Sequence, residues 1–261
     1  MRLVLFSRVP RWYSFRQDRF VKRLVADGHE IAAVVVERTK TLKSIREWMF
    51  KLGPRVFFEK AVSNSLRLTG LRRAAAVGPA SPTTADAAAR RPLPESVNPP
   101  VHLVDSHNSP ACVELVRSLR PDVIVLRGCG IVRKQILDIP RVGTINPHYA
   151  LLPAYRGMDV TEWSALHGDP VAVSVHTVNE GVDTGTVLAS RLVKVERGDT
   201  VGMLRDKSAA LAVDLIAETL ANLEAGRALP RRAEPGAAGR QYFVMHPRLR
   251  RLADERLKRI D

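Results

Sequence analysis

Three side chains in this chain carry the types and spacing that acyl transfer requires. Asn146 and His148 lie two residues apart in Gly143-Thr144-Ile145-Asn146-Pro147-His148, directly after an apolar stretch that reads as a strand. On an extended chain residues i and i+2 point to the same side. The Asn146 amide and the His148 imidazole can therefore face one small site at the carboxyl end of a strand, where open α/β sheets place their ligands. Pro147 donates no ladder hydrogen bond and suits a strand that is ending. Asp183 stands in Gly181-Val182-Asp183-Thr184-Gly185, a glycine-flanked loop that presents it from another strand end. An acid, an imidazole and an amide donor supply proton transfer and oxyanion stabilisation. Each also has a plainer reading. A lone His after a strand is commonly a hydrogen-bonded structural residue, and Asp beside Gly is a common turn residue for backbone reasons.

The elements that must position these groups follow from hydrophobic periodicity. Residues 3–6 read as a buried strand, and residues 16–27 as an amphipathic helix with Phe20, Val21, Leu24 and Val25 at helical spacing and Gly28 placed to end it. Residues 31–36 form a Val-rich apolar run of the kind buried in parallel sheets. This strand–helix–strand opening predicts a right-handed βαβ unit and a doubly wound, Rossmann-like, mostly parallel α/β sheet. Further strands are expected at 101–104, 123–126, 142–145 and 170–178, with an antiparallel partner at 187–195. Helices are expected at 110–119, with Ser109 as cap and Pro110 in its first turn, and from Thr200 to about residue 225. Residues 39–71, with Trp48, Met49, Phe50, Phe57 and Phe58 among basic residues, read as helices on a face of the sheet, with a membrane-surface helix as the alternative. Residues 72–100 are rich in Ala, Pro, Ser, Thr and Arg and read as a mobile or peripheral connection. The domain plan is a catalytic domain over 1–229 and a short basic C-terminal extension over 230–261.

Composition bounds the class. The chain has 261 residues, of which 45% are apolar, enough for one large α/β domain. No apolar run approaches the roughly 18 residues that cross a bilayer, and the first apolar run stops at Ser7-Arg8, too short for a secretory signal. Cys112 and Cys129 are the only cysteines, which do not make a disulfide framework. A cytoplasmic protein without membrane association is expected. The net charge of +14 comes mostly from arginines spread along the chain. With no zinc-finger spacing, RNA-recognition signature or basic heptad helix, it fits anionic small substrates better than nucleic acid.

The two candidate segments together resemble the folate-dependent formyltransferase family, which includes methionyl-tRNA formyltransferases, glycinamide ribonucleotide transformylases and sugar N-formyltransferases. The resemblance rests on Asn146-Pro147-His148, the Leu-Leu-Pro-Ala-Tyr-Arg-Gly run from Leu151 to Gly157, Trp163 with Gly168-Asp169, His176, and Val182-Asp183-Thr184-Gly185, in family order with family-like gaps. It extends back through residues 121–139 and covers roughly two thirds of the chain. It implies 10-formyltetrahydrofolate as co-substrate, no metal, and a primary amine as acceptor. Asn146 and a protonated His148 would stabilise the oxyanion, and Asp183 would orient His148 and take the amine's proton. Two loops would build the folate site. Arg127, Gly128, Cys129, Gly130, Ile131 and Val132 form one, the small residues letting backbone meet a flat pterin edge. Asn179, Glu180, Gly181 and Val182 form the other, with Leu151 and Leu152 as further contacts. Cys129 reads as a small wall residue, not a nucleophile. Ala150 stands where many relatives carry Ser or Gly, which changes the wall of the site. The Arg- and aromatic-rich loop 7–15 reads either as a surface loop or as an acceptor contact through Arg8, Arg11, Trp12, Tyr13 or Phe15. The chain after Asp183 is short and differently patterned for a tRNA-binding β-barrel, so a small amine, nucleotide-linked for instance, is expected ahead of tRNA. The alternatives are a methionyl-tRNA formyltransferase-like enzyme, a formyltetrahydrofolate hydrolase and a non-catalytic RNA-associated protein. Homodimerisation is left open.

Overall fold

A computed structural model describes residues 1–8, 18–38, 94–227 and 239–259. Over these residues the elements run β1 (Arg2–Ser7), α1 (Arg19–Ala26), β2 (Glu30–Glu37), β3 (Val101–Val104), α2 (Pro110–Leu119), β4 (Val123–Arg127), α3 (Lys134–Leu137), β5 (Gly143–His148), β6 (Tyr155–Gly157), α4 (Val160–His167), β7 (Ala172–Thr177), β8 (Val187–Leu192), α5 (Val201–Glu224), β9 (Arg240–Tyr242) and α6 (Pro247–Leu257). The expectations for residues 39–71, for 72–93, and for Arg11, Trp12, Tyr13 and Phe15 lie outside the described residues, as does the expected boundary at residue 229.

Seven strands form one sheet in the order β3-β2-β1-β4-β5-β7-β8. The pairs from β3 through β5 are parallel, and β5–β7 and β7–β8 are antiparallel. The sheet is buried on both faces, because successive residues of each strand feed opposite layers. Leu3 and Leu5 join a core with side chains of α1, α4, α5 and α6. Val4 and Phe6 join a second core with side chains of α2 and α3. The architecture is thus the doubly wound α/β sheet that the alternating pattern predicts.

Helix starts follow their side-chain chemistry. Ser109 accepts from the Cys112 N–H and Pro110 occupies the first turn of α2. Thr200 caps α5 by accepting from the Met203 N–H, and Asp18 caps α1 by accepting from the Phe20 and Val21 N–H groups. Each satisfies a donor that the helix cannot pair internally.

Two features position the site. The β4–β5 pairing ends at Val125 and Ile145. Beyond that point β4 stays with β1 as far as Arg127, while β5 continues beside β7 as far as His148. The sheet therefore parts between the carboxyl ends of β4 and β5. β5 ends one residue after Pro147, at His148. The strand runs through Pro147, opposite Val175, because β5 has by then exchanged its parallel neighbour for an antiparallel one. The second feature is the C-terminal segment. β9 pairs in parallel with β6, and Ala253 and Leu257 of α6 are buried in the main core.

Candidate active site

The β5–β7 register sets the first half of the site. Asn146 lies directly opposite His176 and His148 opposite Ser174, so residues two apart on each strand share one face. The Asn146 Nδ2 is 3.1 Å from His176 Nε2. His176 Nδ1 is 2.8 Å from the Thr177 carbonyl, to which it donates. In the neutral imidazole Nε2 then accepts one Asn146 N–H and leaves the other N–H of that amide free for a ligand oxygen.

The loop after β7 returns Asp183 to this face. Thr177 pairs with Thr186 through backbone and hydroxyl, and Asn179 Oδ1 accepts from the Gly181 N–H and the Thr184 hydroxyl, closing a tight turn. A Cβ at Gly185 would come within 1.7 Å of the Thr177 carbonyl oxygen, so only glycine fits there. Asp183 itself has φ of 50°, a left-handed conformation uncommon outside glycine and found at functional sites.

Asp183 is the hub. Its Oδ2 accepts from the Gly157 N–H at 2.9 Å and lies 3.5 Å from His148 Nδ1. Its Oδ1 lies 3.5 Å from His176 Nε2. Burial raises the Asp183 carboxyl, but a hydrogen bond from His176 and the charge of His148, each in its protonated form, together with the Gly157 N–H, outweigh it and hold the group below its ordinary value. His148 Nε2 is 2.7 Å from the Tyr155 carbonyl and must carry a proton to donate there, so Nδ1 is the nitrogen turned toward Asp183. Burial pushes the His148 imidazole below its ordinary 6.5, although Asp183 and the Tyr155 carbonyl pull upward. The sequence suggested a cationic His148. Enclosure disfavours that cationic form, because an almost wholly enclosed imidazolium loses its hydration.

The structure thus brings Asn146, His148 and Asp183 together. It adds His176 as a fourth member, along with two backbone groups of β6. His176 stands among the residues that carry the family resemblance, but its cross-strand partner is not readable from sequence.

The expected folate-loop residues divide by side chain. Gly128 has φ of 64° with open space around a would-be Cβ, Ile131 is 73% exposed and Val182 is also exposed. Asn179, Glu180 and Gly181 form an exposed turn. The Arg127 guanidinium instead pairs with Asp18 at 2.5 Å and lies over the Phe20 ring, and Val132 is buried in the second core. Burial pushes the Cys129 thiol up to about 12, which removes nucleophilic character. Ser174 Oγ donates to the Ala150 carbonyl and accepts from the Leu152 N–H, fixing the loop of Leu151 and Leu152. Among the described residues no group of His, Cys, Asp or Glu is placed to hold a metal ion, and no helix is long and apolar enough to cross a membrane.

The sequence profile of the formyl transferase family matches residues 30–220. A methionyl-tRNA formyltransferase of Pelobacter propionicus is 38% identical over 122 residues, covering 46% of this chain and 38% of the relative. One from Caldanaerobacter subterraneus is 34% identical over 125 residues, covering 47% and 40%. The matched stretch spans about two fifths of the length of these relatives. Among solved structures, glycinamide ribonucleotide transformylase 1 from Symbiobacterium toebii superposes with a TM-score of 0.57 at 19% identity over 88% of this chain and 91% of that one. A sugar N-formyltransferase from a Shewanella species does so with a TM-score of 0.56 at 14% identity over 98% and 87%. These two likenesses are of fold.

Proposed function

Because the chain belongs to the formyl transferase family, we propose that it moves a formyl group from 10-formyltetrahydrofolate to the primary amine of a small acceptor, with Asn146, His148 and Asp183 at the reacting centre. The observation that carries this reading is the Asp183 carboxylate held between two imidazoles and one backbone N–H, beside a free Asn146 N–H. The flat donor has room at Gly128, where nothing lies within 4 Å of a would-be side chain, and apolar flanks in Ile131 and Val182.

The chemistry follows from which atoms can hold a proton. As the amine nitrogen bonds to the formyl carbon, the free N–H of Asn146 stabilises the oxygen that gains charge. The neutral His148 accepts the amine's proton at Nδ1, the nitrogen turned toward Asp183. Asp183, already ionised, stabilises the imidazolium so formed. His148 then returns that proton to the folate nitrogen as its bond to the formyl carbon breaks. The products are a formamide and tetrahydrofolate, and the residues end as they began. His176 and the β6 backbone hold the geometry of these groups.

The +14 charge favours an anionic acceptor, for which a nucleotide-linked amino sugar is the leading candidate. Identity to methionyl-tRNA formyltransferases over the matched stretch favours methionyl-tRNA as the second reading. The test is purified protein with 10-formyltetrahydrofolate and a panel of nucleotide-linked amino sugars, glycinamide ribonucleotide and methionyl-tRNA, read by mass spectrometry for one added formyl group. Formylation of a small amine supports the reading, and formylation of tRNA alone moves it to the second. Formate release without any amine converts it to a hydrolase. Salt-dependent tRNA binding without chemistry would make the chain a binding protein.

A further inference from the structure

We propose that the short parallel ribbon of β6 and β9 is a positioning device for the reacting centre, and that Tyr242 on the C-terminal strand is a positioning residue within it. This rests on the formyl-transfer reading above.

β6 uses its two edges differently, as the alternation of backbone groups along a strand dictates. On one edge the Tyr155 carbonyl accepts from His148 Nε2 and the Gly157 N–H donates to Asp183 Oδ2. On the other edge the Ala154 carbonyl accepts from the Arg240 N–H and the Met158 N–H donates to the Tyr242 carbonyl. The strand that holds both proton-handling side chains is therefore itself held by β9.

The contact leaves no slack. Gly157 has φ of 100°, and a Cβ there would fall 2.2 Å from the Tyr242 carbonyl oxygen. A Cβ at Gly239 would fall 1.7 Å from the Pro153 carbonyl oxygen. The Tyr242 ring stacks on the Tyr155 ring at 4.9 Å and 10°, and the Tyr155 hydroxyl is tied to Asp169 and to His167 Nδ1.

β9 is anchored in turn. The Met245 N–H donates to Asp159 Oδ2 at 2.9 Å, and Arg250 of α6 lies 3.0 Å from the fully buried Glu162 carboxylate. The Trp163 indole donates to the Phe243 carbonyl. Among the described residues the titratable groups that face Asp183 are His148 and His176, so no other ionisable side chain takes over when β6 shifts. A displacement of β6 acts directly on both ends of the His148–Asp183 pair, through the two hydrogen bonds it makes to them. The loss should therefore fall on the chemical step.

The experiment compares wild type, Tyr242→Ala and Tyr242→Phe in the full chain. The reaction is 10-formyltetrahydrofolate with the amine that wild type formylates fastest from the panel above. Tyr242→Ala should lower kcat by roughly 10- to 100-fold, the scale of a small misplacement of catalytic groups, while KM for the folate changes less than about twofold. Tyr242→Phe keeps the stacking ring and should restore wild-type kcat. A folded Tyr242→Ala protein with wild-type kcat, or with a loss in KM alone, overturns the proposal. Should that variant not fold, amide hydrogen exchange on wild type decides. Equal protection of Arg240, Met158 and Gly157 supports one coupled unit, and Gly157 still protected after Arg240 has exchanged overturns it. Absence of formyl transfer by wild type overturns the functional reading, and the exchange measurement then judges the ribbon by itself.

Discussion

Two clusters of buried charge meet at one bend of the chain, and they behave oppositely. Gly157 donates its N–H to Asp183. Two residues later, Asp159 belongs to a second cluster with Glu162, Arg205 and Arg250. In the first cluster the carboxylate faces imidazoles at 3.5 Å. In the second, Asp159 lies 2.9 Å from Arg205 and Glu162 lies 3.0 Å from Arg250. A guanidinium does not give up its proton near neutral pH, whereas an imidazole does. The first cluster can therefore store and release a proton, and the second is a fixed fastening between α4, α5 and α6. The lesson is that burial of a carboxylate does not define its role. The titration range of its partner does.

The sharpest way to break this comparison is to remove the proton-handling groups. His148→Ala, Asn146→Ala and Asp183→Asn should each lower single-turnover formyl transfer by roughly 100-fold or more, with folate affinity, measured separately by fluorescence titration, little changed. The losses should not add in double variants, because the groups act as a unit. His148→Ala at near wild-type rate would remove it from the mechanism.

The fixed cluster should respond in stability and much less in chemistry. Glu162→Gln leaves two guanidiniums with Asp159 alone. It should cost roughly 2–3 kcal/mol in urea unfolding, below the usual figure for a broken buried pair because both arginines are about a quarter exposed. A cost near zero would mean that the fastening is made by the apolar contacts of Ala253 and Leu257.

A pH titration reads the two clusters apart with a smaller effect. His148 and Asp183 both have depressed folded values. The stability each contributes is complete above its unfolded value and is lost as pH falls through its folded value. NMR titration of the His148 imidazole should therefore give a midpoint below 6.5. In Asp183→Asn the midpoint should fall further, since the carboxylate that raises it is gone. A midpoint above 6.5 in wild type would restore the cationic His148 that the sequence suggested. The smallest effect concerns Cys129. With its thiol near 12, alkylation by iodoacetamide at mildly alkaline pH should run roughly a thousandfold slower than for a free thiol, and rapid labelling would contradict the enclosure of that thiol.

Much of the scaffold was legible because it is local. Apolar runs of four to eight residues marked β1, β2 and β4, and Ser109 with Pro110 and Thr200 marked the starts of α2 and α5. Asn146 and His148 could be paired because two-residue periodicity needs no knowledge of the partner strand. The partner of the Arg127 guanidinium was not legible, for the opposite reason. As the last residue of β4 it reads as a ligand contact, but its guanidinium is turned to Asp18, more than a hundred residues earlier in the chain. The C-terminal segment was set apart as an extension because its buried side chains, Ala253 and Leu257, are sparse among arginines. Their burial depends on α4 lying beside them.

By itself the sequence determined a doubly wound sheet, the strand that carries Asn146 and His148, and membership of a family through motifs in order. The tertiary structure alone decided that β5 changes from a parallel to an antiparallel neighbour at Ile145, and that His176 faces Asn146. It also decided that Asp183 returns between two imidazoles, and that β9 closes on β6 to hold them. The physical reason is that periodicity and capping act within a few residues of the chain, whereas strand register, the proton state of a buried imidazole and the partner of a short strand depend on what distant segments place beside them.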